Sequence, residues 1–252
     1  ADVGVAVHGA TDAARAAADM VLTEPGLSVV VDAMLIARGV FQRMLSFLTY
    51  RVSATLQLVF FFFIGVFALA PRDYGVTDDK FQFFHIPVIM FMLITLLNDG
   101  TLMCIGYDNV VPSSRPQRWN LPVLFAVSGV LAAVACASSL MLLWIALDAL
   151  GNYETSWFKG LGISQLEQGQ VVTLLYLNIS VSDFLTLFSA RTADKFFWSH
   201  RPSMILIVGA SVSLAISSIL ASFWPRASPD SITTLGLARG SGNTNLLPIW
   251  VW

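Results

Sequence analysis

The sequence predicts a mainly α-helical, polytopic membrane protein that begins with a small α/β segment. Of its 252 residues, 56% are hydrophobic and only 12% are charged, whereas an ordinary soluble domain has about 25% charged residues. Five apolar runs are long enough to cross a bilayer, and a sixth begins near Leu246. Short strand patterns alternating with a helix precede these runs. Together these observations define the fold class.

The first 26 residues have the pattern of the end of an α/β domain. VGVAV at 3–7 and ADMVL at 18–22 are typical of short strands, and the Ala-rich stretch 11–18 favours a helix. Thr11 precedes that helix and is suited to cap it. Strands that alternate with helices indicate an α/β fold.

Longer apolar runs follow a break at EPG, residues 24–26. About 20 residues cross the hydrocarbon core as a helix, so a helix over 27–44 is expected to lead into a membrane domain over 45–252. Prolines in the short linkers mark where the helices stop. The predicted spans lie near 46–69, 86–107, 121–147, 170–190 and 203–224, with the start of another at 246–252.

The composition also restricts the partners. The net charge is −2, so the chain lacks the basic surface that nucleic-acid binding requires, and its expected surroundings are the lipid bilayer. The chain begins ADVGVAVHGA, without an initiator Met or a signal-peptide pattern, and ends on the apolar, Trp-rich LLPIWVW. Both ends favour a fragment of a longer protein.

Polar residues recur on one face of the first span. Ser46, Tyr50, Ser53 and Gln57 have the spacing of a single helical face, and Arg51 lies beside it. Small polar side chains commonly mediate helix packing in membranes, which explains the Ser and Tyr positions. For Arg51 and Gln57 we favour function or charge pairing.

The fourth span has a similar polar face that ends in a carboxylate. Asp183 follows Thr173, Tyr176 and Ser180 at helical spacing. Two readings stay open for Asp183: a functional carboxylate, or a structural partner of the cationic residues Arg191 and Lys195, which come after it.

Asp99 lies in LITLLNDGTLMCIG, residues 93–106, deep within the second span. Counted from Ile86 it lies about 20 Å along a straight helix, inside a core about 30 Å thick. A carboxylate at the centre of a membrane helix costs about 2.5–3.5 kcal/mol on insertion scales. Asn98-Asp99-Gly100 is also a turn signal, so a re-entrant turn is an alternative; such a turn must be buried in protein or line a cavity. Both readings predict a site at Asp99.

The scarcity of acidic residues favours a proton as the transported ion. Calcium takes 6–8 oxygen ligands, usually from several carboxylates, whereas residues 45–70 contain no Asp or Glu and Asp99 is the one deeply placed acid of the second span. A carboxyl group binds its proton more tightly when desolvated and less tightly beside a cation. Movement of Asp99 relative to Arg51 would therefore control proton binding.

The stretch ADVGVAVHGATDAARAAADMVL, the helix ending FQRM and the apolar segment with LLNDGT resemble P-type ATPases, most of all plasma-membrane proton pumps. SVSDFLTLFSART is a weaker local likeness. The resemblance implies that residues 1–26 end a HAD-like phosphorylation domain and that 27–44 are the stalk. It also implies that the five spans are the fifth to ninth of ten.

By the same resemblance, Asp99 is the membrane carboxylate that accepts and donates the proton. Plant pumps have Arg where this chain has Gln57, and fungal pumps have His; the basic residue here is Arg51. The partner of Asp99 is therefore open, with Arg51 favoured. Around Asp99 the expected supporting residues are Asn98, Thr95, Arg51 and Gln57, with Asp183 as a further candidate.

The resemblance implies ATP and Mg²⁺ as cofactors of the complete protein, bound upstream of this chain. The family's DKTGT, TGES and GDGVND segments do not occur in the sequence, so this chain alone is not expected to hydrolyse ATP and has no catalytic or metal-binding residue. The predicted function is that of the membrane part of a proton-exporting ATPase of the plasma membrane. The alternatives are a P-type pump for calcium or another metal cation, and an ATP-independent secondary transporter.

Overall fold

A computed structural model describes residues 3–25, 28–69, 86, 88–113, 116–151, 160, 168–192 and 201–223. The chain divides into two compact units, Ala1–Met44 with Val110–Trp119, and Leu45–Asn109 with Asn120–Trp252. The elements in chain order are β1 (Val5–Ala6), α1 (Asp12–Ala17), β2 (Met20–Val21), α2 (Ser28–Ala68), α3 (Val88–Met103), α4 (Leu121–Gly151), α5 (Gln168–Ala190) and α6 (Met204–Phe223).

The first unit contains a small strand–helix–strand motif. β1 and β2 pair in parallel, with Val5 opposite Met20, and α1 connects them. The hydroxyl of Thr11 accepts a hydrogen bond from the backbone N–H of Ala14 at 3.4 Å, which caps α1 as the sequence predicts. Gly9 adopts a φ of 83°, a conformation that glycine tolerates without a side-chain clash. The α/β pattern therefore forms, as a two-stranded sheet.

The same unit contains contacts between the N-terminal part of α2 and the segment after α3. Nη1 of Arg38 donates to the carbonyl of Ser113 at 3.2 Å. The rings of Phe41 and Trp119 pack edge to face with centroids 4.7 Å apart. These contacts hold the segment 110–119 against the helix that was predicted as the stalk.

Five helices in the described part of the chain are long and apolar enough to cross a membrane, as the sequence predicts. α2 runs for 41 residues without a break, so the predicted stalk and first span form one helix. The predicted start of a further span at 246–252 lies outside the described residues.

Small residues allow α2 and α4 to approach closely within the second unit. The hydroxyl of Ser53 donates to the carbonyl of Ser128 at 2.9 Å, and the hydroxyl of Ser128 donates to the carbonyl of Thr49 at 3.0 Å. Each hydroxyl thus bonds to the backbone of the opposite helix, as is common where membrane helices pack. The polar stripe of α2 is buried, as helix packing predicts.

α3 is a continuous helix through Asn98, Asp99 and Gly100, so the alternative of a re-entrant turn is wrong. A helix satisfies its backbone groups internally, which a turn at membrane depth cannot do. A 3-10 turn at Cys104–Tyr107 follows α3 directly and ends the helical segment. The need to satisfy the backbone hydrogen bonds within the helix therefore outweighs the local turn signal of Asn98-Asp99-Gly100.

A buried ion pair joins the ends of three elements. Nε of Arg191 donates to Oδ2 of Asp108 at 2.7 Å and its Nη2 donates to Oδ1 at 3.2 Å. The backbone N–H of Ser203 donates to the same Oδ1 at 2.9 Å. The two charged side chains are only 3% and 5% exposed. Asp108 therefore ties the segment after α3 to the end of α5 and the start of α6.

Candidate functional site

Two consecutive residues of α3 lie on different faces because each helical residue turns by about 100°. Asp99 contacts α2 and Asn98 contacts α5. The segment LLNDGT thus joins two polar contacts at one level of the bundle, and each contact involves a carboxylate.

The first contact is the ion pair between Arg51 and Asp99. Nη1 of Arg51 donates to Oδ1 of Asp99. Counted from Val88, where α3 begins, Asp99 lies about 17 Å along the helix and hence near the middle of a 30 Å core. The side chains of Arg51 and Asp99 are 47% and 45% exposed. Charged side chains at this depth in membrane proteins generally face water or other protein groups rather than lipid.

The second contact joins Asn98 to Asp183. Nδ2 of Asn98 donates to Oδ2 of Asp183 at 2.5 Å, and Asp183 is completely buried. Of the two cationic residues expected as alternative partners of Asp183, Arg191 binds Asp108 instead, and Lys195 lies outside the described residues. The eight residues between Asp183 and Arg191 correspond to about 12 Å along α5, too far for the two side chains to meet.

Gln57 and Thr95, two other predicted site residues, have different neighbours. Nε2 of Gln57 donates to the hydroxyl of Ser182 at 3.5 Å, so the buried amide faces α5. The Thr95 hydroxyl bonds back to the carbonyls of Phe91 and Met92 within α3, each at 3.0 Å. The contacts in the described part of the chain therefore bring Arg51 to Asp99, but bring neither Gln57 nor Thr95 to it.

A small cavity of about 20 Å³ lies beside these contacts, which is room for about one water molecule. Asn98 links it to Asp183, since Asn98 both lines the cavity and binds that carboxylate. The polar side chains that line it are those of Tyr50, Asn98, Thr101, Ser180, Ser213 and Ser217.

Sequence reasoning missed the contribution of α6 to this region. Ser213 donates its hydroxyl to the carbonyl of Leu97 at 3.0 Å, and Ser217 lies 3.5 Å from the hydroxyl of Tyr176. The signal was available, because Ser213 and Ser217 are spaced by one helical turn in an otherwise apolar span. Within the residues that the structure describes, no three His, Cys, Asp or Glu side chains converge on a metal site.

No family model matches the chain. It is 67% identical over 255 aligned residues to "Probable proton ATPase 1A" from Leishmania donovani, and equally to "Probable proton ATPase 1B" from the same organism. This likeness confirms the predicted resemblance to proton pumps of the P-type ATPase family. The alignments cover all of the chain but 26% of each relative, so the chain spans about a quarter of the length of these two probable proton ATPases. The likeness therefore extends beyond the segment with LLNDGT and through the C-terminal part of the chain.

Proposed function

We propose that this chain forms the membrane part of an ATP-driven pump that exports protons from the cytosol, and that Asp99 accepts and releases the transported proton. The ion pair between Arg51 and Asp99 is the observation that supports this role. A titratable group and a cation are in contact here, at a depth that we propose to be near the middle of the membrane. The identity of 67% to two probable proton ATPases supports the proton as cargo.

The chemistry of the pair makes proton binding and ion pairing alternatives. An ionised Asp99 attracts the guanidinium of Arg51, whereas a protonated Asp99 has no charge to attract it. A movement that separates α2 from α3 at this point therefore favours uptake of a proton, and a movement that restores the contact favours release. In this scheme Arg51 promotes release, while Asn98 and Asp183 anchor α3 from its other side.

The long helix α2 is the proposed route by which cytosolic movement reaches Asp99. It runs from Ser28 to Ala68 as one helix and includes Arg51. We assign residues 1–26 to the end of a HAD-like phosphorylation domain and 27–44 to the stalk. The parallel pair β1–β2 connected by α1 is compatible with an α/β domain of this kind.

ATP and Mg²⁺ are proposed cofactors of the complete protein, held by residues outside this chain. The carboxylates that the structure describes do not fit a metal ion, because no three candidate ligands converge. We propose the plasma membrane as the location of the protein, because the pump is proposed to export protons from the cytosol.

The proposal is tested by reconstituting the full-length protein in liposomes and measuring proton flux. We expect flux that depends on ATP and that persists when calcium and other trace metals are chelated with Mg²⁺ kept in excess. Flux that requires calcium would support a metal-cation pump instead. Transport that proceeds without ATP would support a secondary transporter.

A further inference from the structure

Three buried side-chain atoms have no hydrogen-bond partner among the described residues: Oε1 of Gln57, Oγ of Ser180 and Oδ1 of Asp183. All three belong to the region where α2 meets α5, because Gln57 contacts Ser182, next to Asp183. Buried polar atoms without partners are rare, and each calls for an explanation such as a bound water or a functional role. Their concentration at one place points to a polar site.

Asp183 is the member of this group that is hardest to accommodate as an ion. It is fully buried, and its one hydrogen bond in the described part of the chain comes from the neutral amide of Asn98. The nearby cations are engaged elsewhere, since Arg51 pairs with Asp99 and Arg191 pairs with Asp108. An isolated buried carboxylate is strongly disfavoured, whereas the neutral acid is not.

The groups that surround Asp183 include no free cation among those the structure describes. α2 contributes Tyr50, whose phenol lies within electrostatic reach of Asp183, and the amide of Gln57. α3 contributes Asn98 and the ion-paired Asp99. On α5 itself the nearest titratable neighbour is Tyr176, whose hydroxyl lies 3.5 Å from that of Ser217 on α6.

We propose that Asp183 is a second proton-binding carboxyl group, which holds its proton while Asp99 is ionised. The carbonyl oxygen of the acid accepts the hydrogen bond from Asn98, and the other oxygen bears the proton. The cavity lined by Asn98 and Ser180 has room for one water, which would serve the hydroxyl of Ser180. The proposed ligand of Asp183 is therefore a proton, with a water molecule in the neighbouring cavity that Asn98 lines.

A neutral Asp183 has a consequence for the neighbouring ion pair. An ionised Asp183 would add a second negative charge to this part of the bundle, because it binds Asn98, the residue next to the ion-paired Asp99. The proton on Asp183 removes that second charge. This inference goes beyond the proposed function, since Asp183 would bind its proton whichever ion Asp99 transports.

Infrared spectroscopy tests the protonation of Asp183 directly. The full-length protein, purified in a detergent without ester groups, is measured near neutral pH in H₂O and in D₂O. We expect a protonated-carboxyl C=O band, shifted in D₂O, in the wild type and in Asp99→Asn. The band should be lost in Asp183→Asn and retained in the control Asp148→Asn, which changes a half-buried carboxylate on α4. A band that survives in Asp183→Asn, or that is lacking in the wild type, overturns the proposal.

A conservative variant covers the case in which Asp183→Asn does not fold. Asp183→Glu keeps the carboxyl group but moves it by one methylene, so the band should remain and change frequency. An unchanged band would overturn the proposal, because the protonated group would then be another residue. Neither measurement uses ATP or transport, so its failure is distinguishable from failure of the proton-pump proposal, which is read from flux in the wild type.

Discussion

At the scale of single residues, Asp99 stands out in the sequence but its partner does not. A carboxylate inside an apolar run is visible by inspection, because it is costly at that depth. Arg51 lies 48 residues earlier, and sequence alone leaves open whether it or Gln57 faces Asp99. The structure separates the two: Arg51 reaches α3, and Gln57 lies against Ser182 of α5.

This separation predicts different effects of substitution at the two positions. Arg51→Gln removes the cation beside Asp99, and we expect proton transport to fall by about tenfold or more. Arg51→Lys keeps the charge and should retain part of the transport. The measurement is ATP-dependent proton flux by the reconstituted full-length protein.

Gln57→Leu serves as the comparison on the same helix. It replaces a buried amide by an apolar side chain of similar size, on the face that contacts Ser182. We expect a smaller loss of transport than in Arg51→Gln. If Gln57→Leu had the larger effect, the assignment of Arg51 as the partner of Asp99 would be wrong.

At the scale of elements, the sequence predicted the apolar helices well because their length is set by the bilayer. The ends were less accurate: α4 extends to Gly151, beyond the predicted 147, and α3 begins at Val88 rather than 86. The continuity of α3 through Asn98 to Gly100 was open, because the local turn signal competes with the need to satisfy the backbone.

The pair between Asp108 and Arg191 was not predicted, because these residues are 83 positions apart at the ends of two spans. Both are buried and charged, so removing Arg191 leaves the Asp108 carboxylate buried without its cation, at a cost of about 3–5 kcal/mol. Arg191→Gln should therefore lower the thermal stability of the purified protein markedly. Arg201→Gln, at an exposed arginine nearby, is the control. Equal stability of the two variants would show that the pair is unimportant.

A close approach between α6 and the turn after α3 gives another test of packing. A Cβ at Gly209 would lie 2.6 Å from Sγ of Cys104, so Gly209→Ala should destabilise the fold by about 1–3 kcal/mol. The double variant Gly209→Ala with Cys104→Ala should recover most of this loss in thermal unfolding, since the next atom is 3.6 Å away. Gly129→Ala, with open space at its Cβ, should be nearly neutral. A double variant no more stable than Gly209→Ala would contradict this packing.

At the scale of the whole molecule, the chain spans about a quarter of the length of the relatives that it matches, and the pump activity that we propose is that of the complete protein. The α/β pattern and the family resemblance could be read from short motifs. The function of each unit could not be predicted in the same way, because coupling depends on movements between conformations, which a single sequence does not reveal. Helix α2 is the element through which we expect that coupling to run.

The contact between Phe41 and Trp119 offers a test of coupling. Trp119→Ala removes an edge-to-face aromatic pair, which is worth about 0.5–1.5 kcal/mol beyond its buried area. We expect fewer protons transported per ATP hydrolysed, with hydrolysis less affected. The control is Trp144→Ala, at an exposed Trp on α4. An unchanged ratio in Trp119→Ala would exclude this contact from coupling.

The measurement that tests the role of Asp99 most directly compares Asp99→Asn with the wild type in the complete protein. Asparagine keeps the shape of the side chain, but its neutral amide cannot take up a proton as a carboxylate does. It also cannot form the ion pair with Arg51. With folding verified by thermal unfolding, we expect ATP-dependent proton flux into liposomes to be lost in Asp99→Asn. Proton flux equal to that of the wild type would contradict it.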